Sequence, residues 1–377
     1  MKKFLCLCVA LLICSAAPAF AGTVKIGLMA PLTGAFASEG ADMRRVVELL
    51  TDELNKKGGI NGSKVELIVQ DDGSDVRTAA SAASRLTTSG ICAVIGTYGS
   101  SVTEATQNIY NRNKIIQVST GSTAVRLSEK GLKYFFRTSP RDDEQGNVAV
   151  ETLHKLNYKN VIILHDNSAY AVGLAEEIKG GLEKAGKIKI LGYDALQPNE
   201  RDYNAILTRM RSVNPEAIFF TGYYPEAAML LRQMREMGWK VPMLGGDATN
   251  NSDLLKIGGV KVVEGFRFIS PPMPDDLDTK EASDFLAAYK AKYNNAVPSS
   301  IWSVLAGDAF KVIVEAIVKT GSTDPDKLAD YLHNKLANFE GLSGKISFDA
   351  KGDRVGALYR LYQFNAKGEA KSETIAK

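Results

Sequence analysis

The chain has 377 residues, with 46 Lys and Arg against 43 Asp and Glu and a formal net charge of +3. That near balance gives no support for nucleic-acid binding, which normally needs a concentrated basic face, and no charge block or low-complexity tract appears. The length is too great for one ordinary core and predicts two domains.

Lys2 and Lys3 precede an apolar run from Phe4 to Ile13, and Ala19-Phe20-Ala21 has the small-x-small form of a cleavage site. Residues 1–21 therefore read as a secretory signal and not as part of the fold. Its apolar run is too short for a membrane span, and no later stretch approaches the ~20 apolar residues a span requires. A lipid-modified Cys14 is the alternative, but Leu11-Leu12-Ile13 lacks the small residue expected before it, so ordinary cleavage ranks higher. Three of the four cysteines leave with the leader. Cys92 alone cannot close an internal disulfide and reads as a small hydrophobe in a buried strand.

A first strand is predicted over Val24 to Met29, followed by the turn Ala30-Pro31-Leu32-Thr33-Gly34. Val46, Val47, Leu49, Leu50 and Leu54 then cluster on one helical face, and Lys56-Lys57-Gly58-Gly59 supplies a cationic last turn and a stop. After a strand at Lys64 to Gln70, Asp71-Asp72-Gly73-Ser74-Asp75 has no bidentate Glu at calcium-loop distance and reads as a turn and helix cap. The unbroken apolar run Ile91 to Ile95 suits a parallel strand covered on both faces. It passes through Gly96 and Gly99 to Ser100 and Ser101 at a helix start, where hydroxyls cap free N–H groups and anions are attracted. Lys114 to Val118, ending in Ser119-Thr120-Gly121-Ser122-Thr123, repeats that design. In an open parallel sheet two such strand ends can share a ligand.

Beyond Tyr134 to Arg137 the alternation restarts. Helices are expected at Glu144 to Leu156, Ala171 to Lys184, Tyr203 to Ser212 and Pro225 to Met237. Strands are expected at Asn160 to His165, Lys187 to Tyr193, Ala217 to Thr221 and Pro242 to Gly245. This pattern predicts βαβ units and a parallel sheet. Pro271-Pro272-Met273-Pro274 opposes both helix and central strand and reads as a passage between domains. Helices at Lys280 to Tyr293 and Trp302 to Thr320 follow, then strands at Ser343 to Phe348 and Ala357 to Phe364.

Positive signs of an enzyme are absent. His154, His165 and His333 form no i,i+4 pair and have no neighbouring cysteine, so no metal site is expected. Neither GxSxG nor a P-loop occurs, and the turn from Gly96 to Ser101 lacks the lysine of a nucleotide-binding loop. No cofactor is implied.

Taken together, Val24 to Gly34, Lys56 to Gly62, Asp71-Asp72, the IGTYGSS turn, His165-Asp166 with Tyr170, and Gly222-Tyr223-Tyr224-Pro225-Glu226 resemble the type I periplasmic binding proteins of branched-chain amino-acid ABC transporters. The resemblance runs through nearly the whole mature chain. It implies an α/β fold of two doubly wound parallel-sheet lobes joined by three hinge crossovers. Lobe 1 would comprise residues 22–141 plus 272–350, and lobe 2 residues 142–271 plus 351–377. It further implies a monomeric periplasmic receptor, not an enzyme, that binds an amino acid between the lobes and delivers it to a membrane ABC permease.

Motif by motif, Ser100 matches the serine that meets the ligand carboxylate, and Gly121, Ser122 and Thr123 match the segment contacting carboxylate and ammonium. Tyr170 and Tyr223 match cleft tyrosines, and Asp247 matches the acid that faces the ammonium, where leucine-type members often carry Glu. Tyr98 takes a pocket position, Ser300 replaces an apolar or aromatic residue, and Ser74 and Gly99 stand where a disulfide is found in leucine-type members. Glu39 stands at the aromatic pocket position, with Phe36 close enough to take it instead. An unpaired carboxylate against an aliphatic ligand would be costly, so Glu39 either turns to solvent or answers a polar or cationic ligand group. The alternatives are a receptor for another small carboxylate, such as an aromatic acid or amide-like solute, and a sensory ligand-binding module.

Overall fold

In the computed structural model, which describes residues 22–373, the apolar runs form strands and the amphipathic stretches form helices that cover them. The predicted leader and the Cys14 alternative lie outside the described residues. The first sheet contains β1 (Val24–Ala30), β2 (Val65–Asp71), β3 (Ala93–Ile95), β4 (Ile116–Ser119) and β5 (Phe135–Arg137). Its order is β2-β1-β3-β4-β5 and every pairing is parallel. Between these strands run α1 (Ala37–Lys56), α2 (Val76–Thr87) and α3 (Ser100–Arg112). Gln117 at the centre of β4 is as buried as its apolar neighbours; both faces of a central parallel strand are covered.

The chain then crosses to a second sheet. Here α4 (Asp142–Lys155), α5 (Ala169–Ala185), α6 (Asn204–Ser212), α7 (Tyr224–Glu236), α8 (Asp253–Gly258) and α9 (Val260–Val263) alternate with β6 (Asn160–His165), β7 (Lys189–Ala195), β8 (Ala217–Phe220), β9 (Met243–Gly245) and β10 (Arg267–Ser270). After Pro271-Pro272-Met273-Pro274 it returns to the first unit through α10 (Lys280–Lys292), α11 (Ile301–Thr320) and α12 (Pro325–Asn334), with α11 packed on α1, β3 and β4. A third passage brings it back as β13 (Arg360–Phe364) and β14 (Ala370–Ser372), which complete a seven-stranded sheet of order β14-β13-β10-β9-β8-β6-β7. The molecule is thus two sheet-and-helix lobes joined by three crossovers.

Two terminal expectations change. Of Ser343 to Phe348 only β12 (Gly344–Ile346) is a strand, and it forms a separate antiparallel hairpin with β11 (Phe339–Gly341). The last strands pair antiparallel at the edge, β13 on β10 and β14 on β13. The acidic turn behaves as read: Asp75 accepts from the Arg77 and Thr78 N–H groups and caps α2, while Asp71 Oδ1 accepts from the Leu32 N–H at 2.8 Å and so fastens the loop after β1. Cys92 lies just ahead of β3 and is only partly buried. Desolvation pushes its thiol up to about 11, which keeps it unreactive. Among the described residues, no cluster of His, Cys, Asp and Glu could hold a metal ion, and no helix is long and apolar enough to cross a membrane.

Candidate ligand-binding cleft

Two turns at the carboxyl ends of β3 and β4 form one wall. Gly96 ends β3 at φ +114°, and a Cβ there would lie 2.0 Å from the Met29 carbonyl oxygen, so only glycine fits. The helix begins one residue earlier than its serines suggest: Gly99 is the N-cap of α3 and no side chain caps it. The two serine hydroxyls instead reach elsewhere. Ser100 Oγ accepts from the Ala124 N–H at 3.3 Å, joining the first turn to the second. Ser101 Oγ accepts from the Ala169 N–H at 2.9 Å, across the cleft at the start of α5.

In the second turn, Ser122 Oγ donates to the Tyr98 carbonyl at 3.1 Å, and the Tyr98 ring lies so close to Gly121 that a Cβ would approach its Cδ2 to 2.6 Å. Behind the turn stands Arg137, fully buried and paired with Asp353 from the third crossover. Its Nη1 donates to the carbonyls of Ser122 and Ala124 at 3.1 and 2.9 Å. Among the described residues the buried Tyr98 hydroxyl has no hydrogen-bond partner, and the buried Thr123 hydroxyl faces Asp142, whose carboxyl pKa it helps to lower.

The other wall carries Tyr170 in the first turn of α5, Tyr223 as the N-cap of α7, and Asp247 after β9. Tyr223 is the hub of the aromatic contacts, with ring centroids 4.5 Å from Phe36, 5.4 Å from Tyr170 and 5.9 Å from Tyr98. Asp247 Oδ2 accepts from the Tyr359 hydroxyl at 2.7 Å, and its backbone N–H donates to Gln145 Oε1 at 2.8 Å. Gln145 Nε2 donates in turn to Asp142 Oδ1 at 3.0 Å. Burial, and then the nearby Asp247, holds the Asp142 carboxyl well above the usual carboxylate range. Burial likewise raises Asp247, against the hydrogen bonds from Tyr359 and Tyr170.

Glu39 does not turn to solvent. It is fully buried in the first turns of α1, where it accepts from Ser300 Oγ at 2.7 Å and from Asn251 Nδ2 at 2.9 Å. Burial raises its carboxyl to about 8 despite both hydrogen bonds. Phe36, the alternative for the same pocket position, lies among the aromatic rings of the cleft. Ser300, far from leaving a gap, also caps α11.

A cavity of about 550 Å³ opens between the walls, lined in part by Phe36, Gly99, Ser101, Asp166 and Tyr223. Of the ligand residues read from sequence, Tyr223 lines it, as does Phe36, the alternative to Glu39. Tyr98, Ser100, Ser122, Thr123, Tyr170, Asp247 and Glu39 are buried beyond it, linked by the contacts above. Sequence reading passed over Asp142, Gln145, Tyr359 and Trp302, whose ring lies 6.5 Å from Tyr98. Asp142, the first acid after a predicted crossover, carried the one available signal.

The two-lobed geometry agrees with the family comparison, in which residues 23–369 match the model described as periplasmic binding protein. The chain belongs to this family. Relatives of this periplasmic binding protein are dominated by the type I, branched-chain amino-acid-binding group. It is 33% identical over 347 residues to a leucine-, isoleucine-, valine-, threonine- and alanine-binding protein of Pseudomonas aeruginosa, covering 92% of this chain and 91% of the relative. A leucine binding protein of Thermotoga maritima superposes with a TM-score of 0.85 at 30% identity, covering 93% of this chain and 98% of that one. A Streptococcus pneumoniae branched-chain amino-acid transporter binding protein, in complex with isoleucine, gives 0.84 at 30% identity, with 93% and 99% covered. The periplasmic binding protein described here is accordingly a small-molecule solute receptor of the ABC-importer type, working outside the cytoplasm.

Proposed function

We propose that the solute is an α-amino acid, held by Ser100 and the 121–123 turn at its carboxylate and by Thr123 and Asp247 at its ammonium. The observation that carries this reading is the placement of a buried acid, Asp247, across the cleft from the uncapped start of α3. Ser100 Oγ accepts from Ala124, which leaves its own O–H to donate to a carboxylate, and a hydrogen bond to an ionised partner contributes roughly 1.5 to 3 kcal/mol. Tyr170 and Tyr223 would cover the ligand from the second lobe, and Tyr98 and Glu39 would meet its side chain. The names of the relatives support an amino acid; the polar group formed by Glu39, Ser300 and Asn251 favours a side chain that is not purely aliphatic.

On this reading the leader is removed, the mature protein is a monomer whose lobes divide near residues 141, 271 and 350, and the loaded form docks on a membrane permease. Calorimetry with the twenty L-α-amino acids tests the assignment. At least one should bind with 1:1 stoichiometry. Ser100→Ala should weaken that binding by about tenfold or more, and Asp247→Ala by more again because it removes the buried counter-charge. Unchanged affinity in both variants rejects the site, and a des-amino analogue that binds equally well moves the assignment to a small carboxylate.

A further inference from the structure

We infer that the ligand carries a second positive charge, at the far end of its side chain, which Asp72, Asp166 and Glu226 receive in the cavity between the lobes. This rests on the amino-acid reading above and names the class of side chain accepted.

The cavity of about 550 Å³ has the size of a small-molecule site, and its charge is one-sided. Asp72 lines it from the turn after β2 in the first lobe, and Asp166 after β6 and Glu226 in the first turn of α7 line it from the second. Among the described residues no Lys, Arg or His lines it. Asp72 is only 1% exposed. Its Oδ1 accepts from the Ser74 N–H at 2.8 Å, whereas Oδ2 has no hydrogen-bond partner among the described residues. The buried Oγ of Ser74, which lines the same cavity, has none either. A buried carboxyl oxygen left unpaired is unfavourable, so a donor from outside completes this corner.

On the other wall, Asp166 Oδ1 accepts from the Ser168 N–H at 2.9 Å and Glu226 Oε1 from the Asn199 N–H at 3.1 Å. These bonds aim the two carboxyls but bring no positive charge, and Asp166 acts on Glu226 as a like charge. His165, the base beside Asp166, accepts the Asn167 N–H on Nδ1 at 3.3 Å and is held toward its neutral form by burial. Burial raises all three carboxyls, as it does for acids that lack a cation. The route to them passes Gly99 and Tyr223, which also line the cavity. A Cβ on Gly99 would meet only the Tyr223 hydroxyl, at 3.6 Å, so the space beside the Ser100 turn is open. An amino acid held there by its carboxylate can run an aliphatic stem through this gap and set an ammonium or guanidinium among the acids. An uncharged tip leaves them without a counter-charge.

The test is calorimetry on wild type, Asp72→Asn, Asp166→Asn and Glu226→Gln. The probes are L-lysine against L-norleucine and L-arginine against L-citrulline, pairs of similar shape that differ in the distal charge. The readout is the ratio of affinities within a pair for one protein, which a partly unfolded preparation does not alter. Wild type should bind lysine or arginine about tenfold or more tighter than its neutral counterpart, and Asp72→Asn should lower that ratio by about tenfold. Asp166→Asn and Glu226→Gln should lower it too. Neutral probes that bind as tightly as the charged ones, a ratio unchanged in all three variants, or binding confined to other amino acids overturns the inference and leaves the amino-acid reading standing. Failure of all twenty L-α-amino acids and both analogues overturns both.

Discussion

A buried carboxyl with no cation beside it keeps its proton, and Glu39 is such a group. Its ordinary value of 4.5 applies to the unfolded chain, while in the fold it sits near 8. Between those two values the folded protein holds a proton that the unfolded chain has lost, so this group's effect on stability is most favourable below about 4.5 and declines as pH rises to 8. The slope approaches about 1.4 kcal/mol per pH unit for one group. Glu39→Gln should abolish that part of the decline. In thermal unfolding from pH 5 to 8.5, its Tm should gain on wild type steadily with pH, and a constant difference would mean that Glu39 is ionised in the fold. Asp72 is also raised, to about 7, by burial, but it is present in both proteins and cancels in the comparison. At this scale the sequence singled out Glu39 without its partners. Glu39 meets Asn251, 212 positions away, and no local pattern announces such a pairing.

The elements that present the cleft residues are turns and crossovers, and their fastening is specific. Arg137 at the end of β5 and Asp353 of the third crossover form an ion pair with almost no solvent exposure, at 0% and 3%, to which Arg141 of the first crossover adds a second contact. Removing one partner of a buried pair leaves an uncompensated charge and typically destabilises by about 3–5 kcal/mol. Asp353→Ala should therefore lower the urea midpoint substantially, and because Arg137 holds the Ser122 and Ala124 carbonyls it should weaken solute binding as well. A near-neutral urea midpoint would show that the pair is not a structural fastener. Periodicity located most of the strands and helices of both lobes, since buried parallel strands are apolar throughout and the helices are striped. It passed over β10, α12 and β11, and it read β12 as a terminal strand where the chain instead folds back into a hairpin with β11. Nor did it distinguish a serine cap from a glycine cap at the start of α3, because the boundary is settled by backbone angles at Gly99.

Between the lobes lies a set of direct polar contacts besides Ser101 to Ala169. The Tyr224 hydroxyl lies 3.1 Å from the Ala35 carbonyl and 3.2 Å from Ser38 Oγ. The Ser252 N–H donates to the Ser299 carbonyl at 3.1 Å, and Arg126 Nη1 reaches the Ala169 carbonyl. Each such bond contributes on the order of 1 kcal/mol, so together they bias a hinged molecule toward closure without locking it. Tyr224→Phe should speed solute release about fivefold in stopped-flow measurements while leaving the Tm of the solute-free protein nearly unchanged. Release at the wild-type rate would place the closing force elsewhere. The two-lobe plan was legible because strand and helix alternate in two runs, the second restarting after Arg137 and ended by Pro271 to Pro274; the closing contacts were not, since they join surfaces that no sequence interval relates.

Asp353 stands 216 positions after Arg137, and Tyr359 stands 112 after Asp247. β10 likewise waits for β13 to cover its edge. In a chain that becomes free to fold from its N-terminus, both sheets can be nearly whole while the arginine lacks its counter-ion, the cleft acid lacks its hydroxyl donor and one sheet edge is bare. Solute recognition thus hangs on the last stretch of the chain: until that segment is in place, the molecule is a pair of unfinished halves without the ion pair and the hydroxyl that set its cleft.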